Sequence, residues 1–274
     1  MLEKSNHGTP MEHGAVYLRI TDKDPEYQNF YNFYSKNEYS KINIMPLGDY
    51  QNSIINYAFI STNYRVLFEN NRLDDLKYVS EYLDHYHDRR VTVEFTCNIG
   101  VTREFNRHRK NSINEESTRY CNYSKDKFGA GLNIIEPCWL YDKHDELVKK
   151  LELVDLRKFC QWITMSQDEL FSDIDYWLFA NLSCEWSYMN LIEKCGWKQQ
   201  QARTVLPLDT KTILIHTAFV DDWVHFFQLR ALGTTGAPHP QAKELAYPLM
   251  EEFIKRHYIT EDELGEKYKN NINS

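Results

Sequence analysis

Arg107-His108-Arg109, followed by Ser112, Ser117 and Arg119 inside the run RHRKNSINEESTRY, concentrates the chain's chemistry in thirteen residues. Guanidinium groups, an imidazole, serine hydroxyls and the carboxylates of Glu115 and Glu116 are suited to gripping an anionic, hydrogen-bonding ligand such as a nucleotide. Taken alone, clustered arginines are more often solvated surface charge or a phosphate patch. No base lies beside Ser117 in sequence, so its hydroxyl reads as a binding group rather than a nucleophile.

The spacing adds to this. Arg-His-Arg-x-x-Ser-x-x-x-x-Ser-x-Arg, filled at every fixed position by Arg107, His108, Arg109, Ser112, Ser117 and Arg119, resembles the signature of the flavin-dependent thymidylate synthases. Three further segments resemble the same family, in the same order. His7-Gly-Thr9-Pro-Met-Glu12-His13 is similar to its His-x-Ser/Thr-x-x-Glu-His element, and Ala202-Arg203-Thr-Val-Leu206-Pro207 to its Ala-Arg-x-x-Leu-Pro segment. Trp223 to Arg230, followed by Pro240-Gln241-Ala242, resembles its late helix ending in Leu-Arg. Metal binding by His7 and His13 is the poorer reading, because no third ligand is near them in sequence, and no metal is expected.

The resemblance implies reductive methylation of dUMP to dTMP, with methylenetetrahydrofolate as carbon donor, NADPH as reductant and FAD as hydride shuttle. Such chemistry belongs largely to flavin and folate, which leaves orientation and charge placement to the protein. It makes Arg230 the catalytic candidate, a cation stabilising the N3-ionised uracil. The implied dUMP contacts are Glu104, Arg107, Glu115, Ser117, Thr118, Arg119, Arg203 and Arg230, with Arg203 and Arg119 forked on the phosphate. The implied FAD contacts are His7, Thr9, Glu12, Arg107, His108, Arg109, Glu115 and His225. The family's active sites form between subunits, so a homotetramer with shared sites is expected.

The chain also departs from the pattern. Family members carry a strand, a helix and an Ala-Arg-x-Cys-Tyr-like segment ahead of the His-x-Thr element, whereas six residues precede His7 here, which would remove part of the cofactor wall. Phe219, Asp221 and His225 stand where the late helix often has other polar groups, and Glu104 stands where glutamine is frequent. A nucleotide-binding paralogue without flavin turnover is therefore the alternative. A nucleic-acid or phosphate-binding module is disfavoured by the formal net charge of -8.

Composition is that of an ordinary globular protein, with 42% hydrophobic and 26% charged residues over 274 positions. The six cysteines, Cys97, Cys121, Cys138, Cys160, Cys184 and Cys195, show no Cys-x-x-Cys pair and read as reduced thiols of a cytoplasmic protein. No apolar run approaches bilayer length, so no membrane partner is expected. His85 and His87 read as exposed polar residues at a helix end rather than as metal ligands.

These side chains need a scaffold. Alternation predicts strands over Gly14 to Ile20 and Val91 to Cys97, and Thr212 to Val220 reads as a third strand or a buried lead-in to a helix. Apolar spacing of three and four predicts helices over Leu67 to Tyr86, Asp145 to Met165, Gln167 to Cys195 and Gln241 to Tyr258, with Gly196 as a C-terminal cap and Pro248 as a kink or break. A short helix from Val101 to Arg109 would put Arg103 and Arg107 on one face and Glu104 and His108 on another. The aromatic stretch Thr21 to about Ser61 has no clear period and reads as an extended excursion with short elements. The expected whole is an α+β fold, a mixed or antiparallel sheet packed with long helices, in the complex topology of the flavin-dependent thymidylate synthases. It forms one catalytic domain over residues 1–266, with an insertion at about 21–90 and a polar tail at 267–274.

Overall fold

A computed structural model describes residues 8–48, 54–125, 131–153, 171–266 and 268. Among the described residues six strands form two antiparallel three-stranded sheets, so the α+β expectation holds, with the strands divided between two sheets. The first sheet has the order β1-β3-β2, from β1 (Ala15–Thr21), β2 (Lys41–Gly48) and β3 (Ile54–Asn63). The second has the order β4-β6-β5, from β4 (Arg90–Asn98), β5 (Ser112–Glu115) and β6 (Lys211–Phe219). The run from Thr212 resolves both of its readings, since β6 leads directly into a helix at Val220.

The stretch after Thr21 is more regular than its sequence promised. Helix α1 (Tyr27–Tyr34) and strands β2 and β3 make a sheet-and-helix layer with β1, closed over Leu18, Phe30, Tyr34, Ile60 and Leu67. Strand β3 is central and buried over most of its length, and β2 is an edge strand that tolerates Pro46, so neither alternates cleanly. Arg72 closes this layer, paired with Asp75 and lying 4.5 Å over the Phe33 ring.

The long helix expected over Leu67 to Tyr86 does not form. Helix α2 (Tyr64–Glu69) stops at Asn70, Asn71 turns left-handed at φ 55°, and the chain continues as a 3-10 turn (Leu73–Tyr78) and irregular backbone. His87 is therefore not an exposed helix-end residue: it is buried, with Nε2 3.0 Å from the Leu18 carbonyl and Nδ1 accepting from the Asp84 amide.

The second sheet carries the larger core. Helix α3 (Ile99–Phe105) follows β4, capped by the Asn98 side chain, which accepts from the Val101 amide at 2.8 Å. Helices α4 (His144–Leu153) and α5 (Asp173–Glu193) fall within the two long middle helices expected; positions 154–165 and 167–170 of those expectations lie outside the described residues. After α5 the chain turns at Gly196 with φ 71°, as its reading as a cap requires. Helix α6 (Gln199–Ala202) leads to β6.

Helix α7 (Val220–Arg230) and helix α8 (Pro240–Lys255), undivided by Pro248, then cover the sheet, and α9 (Glu261–Leu264) ends the element order. Trp223, Phe226, Phe227 and Phe253 pack on Phe95, Phe105 and Leu214, and the Trp223 indole donates to the Val91 carbonyl at 3.1 Å. Arg90 ties the sheets together, donating to the Glu12 carbonyl and Ser112 Oγ at 3.0 Å each, while the Tyr17 phenolic hydroxyl accepts from the Arg90 backbone amide at 2.9 Å. Among the described residues no helix is long and apolar enough to cross a membrane.

Candidate functional site

The Arg-His-Arg run begins where α3 has already ended. Because the helix stops at Phe105, Arg103 and Arg107 do not share a face, contrary to the helical spacing, and they line different cavities. Glu104 and His108 do come together, and what joins them is Arg230. Its Nη1 donates to Glu104 Oε2 at 2.7 Å, and its Nε donates to His108 Nε2 at 3.2 Å. The last turn of α7 thus delivers the guanidinium between the helix and the loop that follows it.

His108 must be neutral to accept that bond. Burial, reinforced by the charges of Arg230, His225 and Arg107, pushes its pKa down to about 4, and the bond to Nε2 leaves the ring proton on Nδ1. Behind it His216 is driven to about 3, chiefly by burial, with its Nε2 2.7 Å from the Asn111 amide. Burial also lowers the Arg230 pKa, against the pull of Glu104 in the other direction.

These groups open onto a cavity of about 800 Å³. Glu104, Arg107, His108, Arg109, His225 and Arg230 all line it, which gathers six of the residues named from sequence. Sequence reasoning missed Lys110, Asn111, Asp222 and the loop Thr235–His239 in the same wall. That loop had a visible signal, two glycines after the helix. Gly233 has φ 65°, and a Cβ there would sit 2.5 Å from the Gly236 carbonyl oxygen, so the tight turn admits no side chain. Asp222 is half-buried and its pKa is raised, first by burial and then by Asp221.

A second cavity, of about 520 Å³, holds Glu115, Ser117, Thr118 and Arg203, with Arg103, Leu206 and Pro207. Arg203 is exposed, and its Nη1 donates to Thr118 Oγ1 at 3.4 Å. Glu115 accepts from Thr102 Oγ1 at 3.0 Å and from Asn106 Nδ2 at 3.2 Å, so it is fastened to α3. Arg119 lines neither of these two cavities; its guanidinium lies 5.5 Å over the Tyr120 ring. Of the dUMP contacts named from sequence, Glu104, Arg107 and Arg230 line the first cavity, Glu115, Ser117, Thr118 and Arg203 the second, and Arg119 neither.

The early element lies apart from both. His7 is outside the described residues, and Thr9 to His13 form a 3-10 turn. Glu12 is ion-paired with Arg65 of α2, and His13 Nδ1 is 2.8 Å from Thr217 Oγ1 of β6. Asp221, at the start of α7, is ion-paired with Lys41 of β2, which also lies 4.7 Å over the Phe219 ring. Among the described residues no group of three or more histidine, cysteine or acidic side chains is placed to hold a metal. Five cysteines are described and none of them forms a disulfide among the described residues; burial raises the Cys97 thiol to about 12, unsuited to nucleophilic work.

No curated protein sequence matches the chain. Solved structures similar to it include thymidylate synthase X from Helicobacter pylori with FAD and dUMP, at 19% identity over 64% of this chain and 73% of that one, with a TM-score of 0.43, and a UMP/dUMP methylase, PolB, from Streptomyces cacaoi bound with 5-Br dUMP, at 20% identity over 61% and 66%, with a TM-score of 0.39. The profile of the thymidylate synthase complementing protein family matches residues 60–257, well over half of the chain, from β3 through α8. The chain belongs to the thymidylate synthase complementing protein family.

Proposed function

We propose that the chain is a flavin-dependent thymidylate synthase, converting dUMP to dTMP with methylenetetrahydrofolate as carbon donor and NADPH as reductant through FAD. The observation that carries the proposal is Arg230, a cation held between Glu104 and neutral His108 at the wall of a cavity of about 800 Å³. Uracil becomes reactive at C5 when negative charge on its N3 and carbonyl edge is stabilised, and a fixed guanidinium supplies that stabilisation.

The donor set fits a flavin dinucleotide. The cavity lies within the size range of cofactor sites, and Arg107, Arg109 and Lys110 in its wall suit a pyrophosphate and an electron-rich ring. FAD, when bound, supplies the hydride transfer that no side chain can perform. Arg107 and Arg109 hold the cofactor, and His108 stays neutral and keeps Arg230 in place. In the second cavity Ser117, Thr118 and Arg203 hold the dUMP phosphate, and Glu115 accepts from a ligand hydroxyl.

On this chain the Arg230 cavity and the Arg203 cavity are distinct. A homotetramer in which one subunit's Arg203 side faces another's Arg230 side would reunite phosphate and base contacts in one site, and this is the assembly we infer. A second reading, a nucleotide-binding paralogue without flavin turnover, is favoured by the Glu12–Arg65 pair, which engages a carboxylate otherwise open to a cofactor hydroxyl.

The purified protein tests both. A yellow protein, bleached by NADPH and releasing tritium from 5-tritiated dUMP in the presence of methylenetetrahydrofolate, is the expected result, with release abolished in Arg230→Ala. A colourless protein that binds dUMP but cannot be reconstituted with FAD would establish the second reading instead.

A further inference from the structure

A third cavity, of about 360 Å³, lies where the inserted sheet meets the Arg-His-Arg loop. Asn37, Tyr39 and Asn70 line it from the segment between β1 and β4; Arg109, Lys110 and Asn111 line it from the loop. The same three loop residues also line the cavity that contains Arg230. A single basic loop therefore faces two cavities at once.

The charges in this third cavity favour an anion at the loop. Arg65, Arg109 and Lys110 stand against Glu12 and Glu69, and both carboxylates are already bound to Arg65. Arg109 and Lys110 have no carboxylate within ion-pairing distance among the described residues. The insertion side offers a different chemistry. Asn37 uses its amide oxygen to accept from the Tyr39 amide and Ser40 Oγ, which leaves its NH2 group to donate. Asn70 uses its NH2 group to donate to the Val66 carbonyl, which leaves its amide oxygen to accept. Tyr39 adds an aromatic ring that is 49% exposed. One donor, one acceptor and a stacking face are what a purine edge and ring require.

We propose that the inserted sheet holds the adenosine half of FAD in this third cavity, with the pyrophosphate crossing Arg109 and Lys110 and the flavin half beside Arg230. The inference rests on the flavin reading given above and adds to it the residues that read the far end of the cofactor. It assigns the insertion a binding role, with Tyr39 as the stacking platform and Asn37 and Asn70 as the edge contacts.

The test compares FAD with FMN, which lacks the adenosine half. Both are titrated into the full-length protein by flavin fluorescence, for the unmodified chain, Tyr39→Ala and Tyr39→Phe. The expected result is about a 10-fold or greater loss of FAD affinity in Tyr39→Ala, little loss in Tyr39→Phe, and FMN affinity unchanged in both. Because Tyr39 is exposed, neither change threatens the fold, and Asn37→Asp, which keeps the oxygen that accepts from the Tyr39 amide and Ser40 Oγ and removes only the NH2 donor, provides a second variant with the same expected split. FAD affinity unchanged in Tyr39→Ala and Asn37→Asp, or FAD and FMN weakened alike, would overturn the inference while leaving the flavin reading intact. An unmodified chain that binds neither flavin would overturn both.

Discussion

Glu104 is the side chain through which the arrangement at Arg230 is most directly examined. Its carboxylate receives Arg230 Nη1 at 2.7 Å, in a pair whose side chains are 31% and 13% exposed. A charge-assisted hydrogen bond is worth about 1.5–3 kcal/mol, and the partial exposure of Glu104 places this one near the lower end, about 1.5–2 kcal/mol. If that energy serves to hold the guanidinium where charge develops on the uracil, Glu104→Ala should slow the chemical step about 10- to 30-fold, at about 1.4 kcal/mol per decade. Glu104→Gln keeps an oxygen to accept from Nη1 and should lose only about 3-fold, since the hydrogen bond survives without the charge. The assay is tritium release from 5-tritiated dUMP at saturating substrate, with the thermal midpoint recorded for each variant. A Glu104→Ala protein that folds normally and releases tritium at the unmodified rate would refute the claim that this carboxylate positions Arg230.

Stability should depend on pH through the buried histidines. Their folded pKa values lie below the ordinary 6.5, His108 at about 4 and His216 at about 3, so the unfolded chain binds more protons between about pH 4 and 6.5. The contribution is fully present above pH 6.5 and is lost as pH falls, up to about 3 kcal/mol for His108 alone at about 1.4 kcal/mol per unit. Thermal midpoints should thus be flat from pH 7 to 8 and fall steeply below 6.5, with a shallower fall in His216→Phe; a midpoint independent of pH over that range would contradict the buried neutral rings. For the second cavity, Arg203→Ala should raise the KM for dUMP by about 10- to 100-fold, the value of one charged phosphate contact, with a much smaller change in kcat. An unchanged KM would remove Arg203 from the phosphate site.

What could be read in the sequence was chemistry that depends on residue type and short spacing. Arg107, His108, Arg109 and Arg230 reach one cavity because the loop after α3 and the end of α7 are each fixed locally, by the Phe105 helix end and the Trp223 to Phe227 packing. What could not be read depended on neighbours far along the chain. Strand β3 is buried against β1 and β2 on its edges and against α1 and α2 in its layer, so its apolar residues show no period of two. The helix expected after Leu67 had the right apolar spacing, and Asn71 in the left-handed region ends it, a turn that the spacing of apolar residues does not encode. Lys41 and Arg65 gave no signal at all: each acquires its role only when β2 meets Asp221 and α2 meets Glu12.

The elements that carry the family resemblance do different work, and Gln241 makes the distinction plain. It is buried and lines neither the Arg230 cavity nor the Arg203 cavity, and its Oε1 accepts from Asn98 Nδ2 at 3.2 Å. Asn98 in turn caps α3 through its Oδ1 and donates to Asp209 Oδ1 at 3.0 Å. Asp209 closes the chain of contacts by accepting from the Trp177 indole at 2.8 Å. The start of α8, the lead-in to β6 and the long helix α5 are thereby tied to the residue from which α3 begins. Since α3 carries Arg103 toward one cavity and Glu104 toward the other, a shift at Asn98 would move both binding surfaces together. A buried amide outside both cavities can thus govern both, by fixing the helix that stands between them.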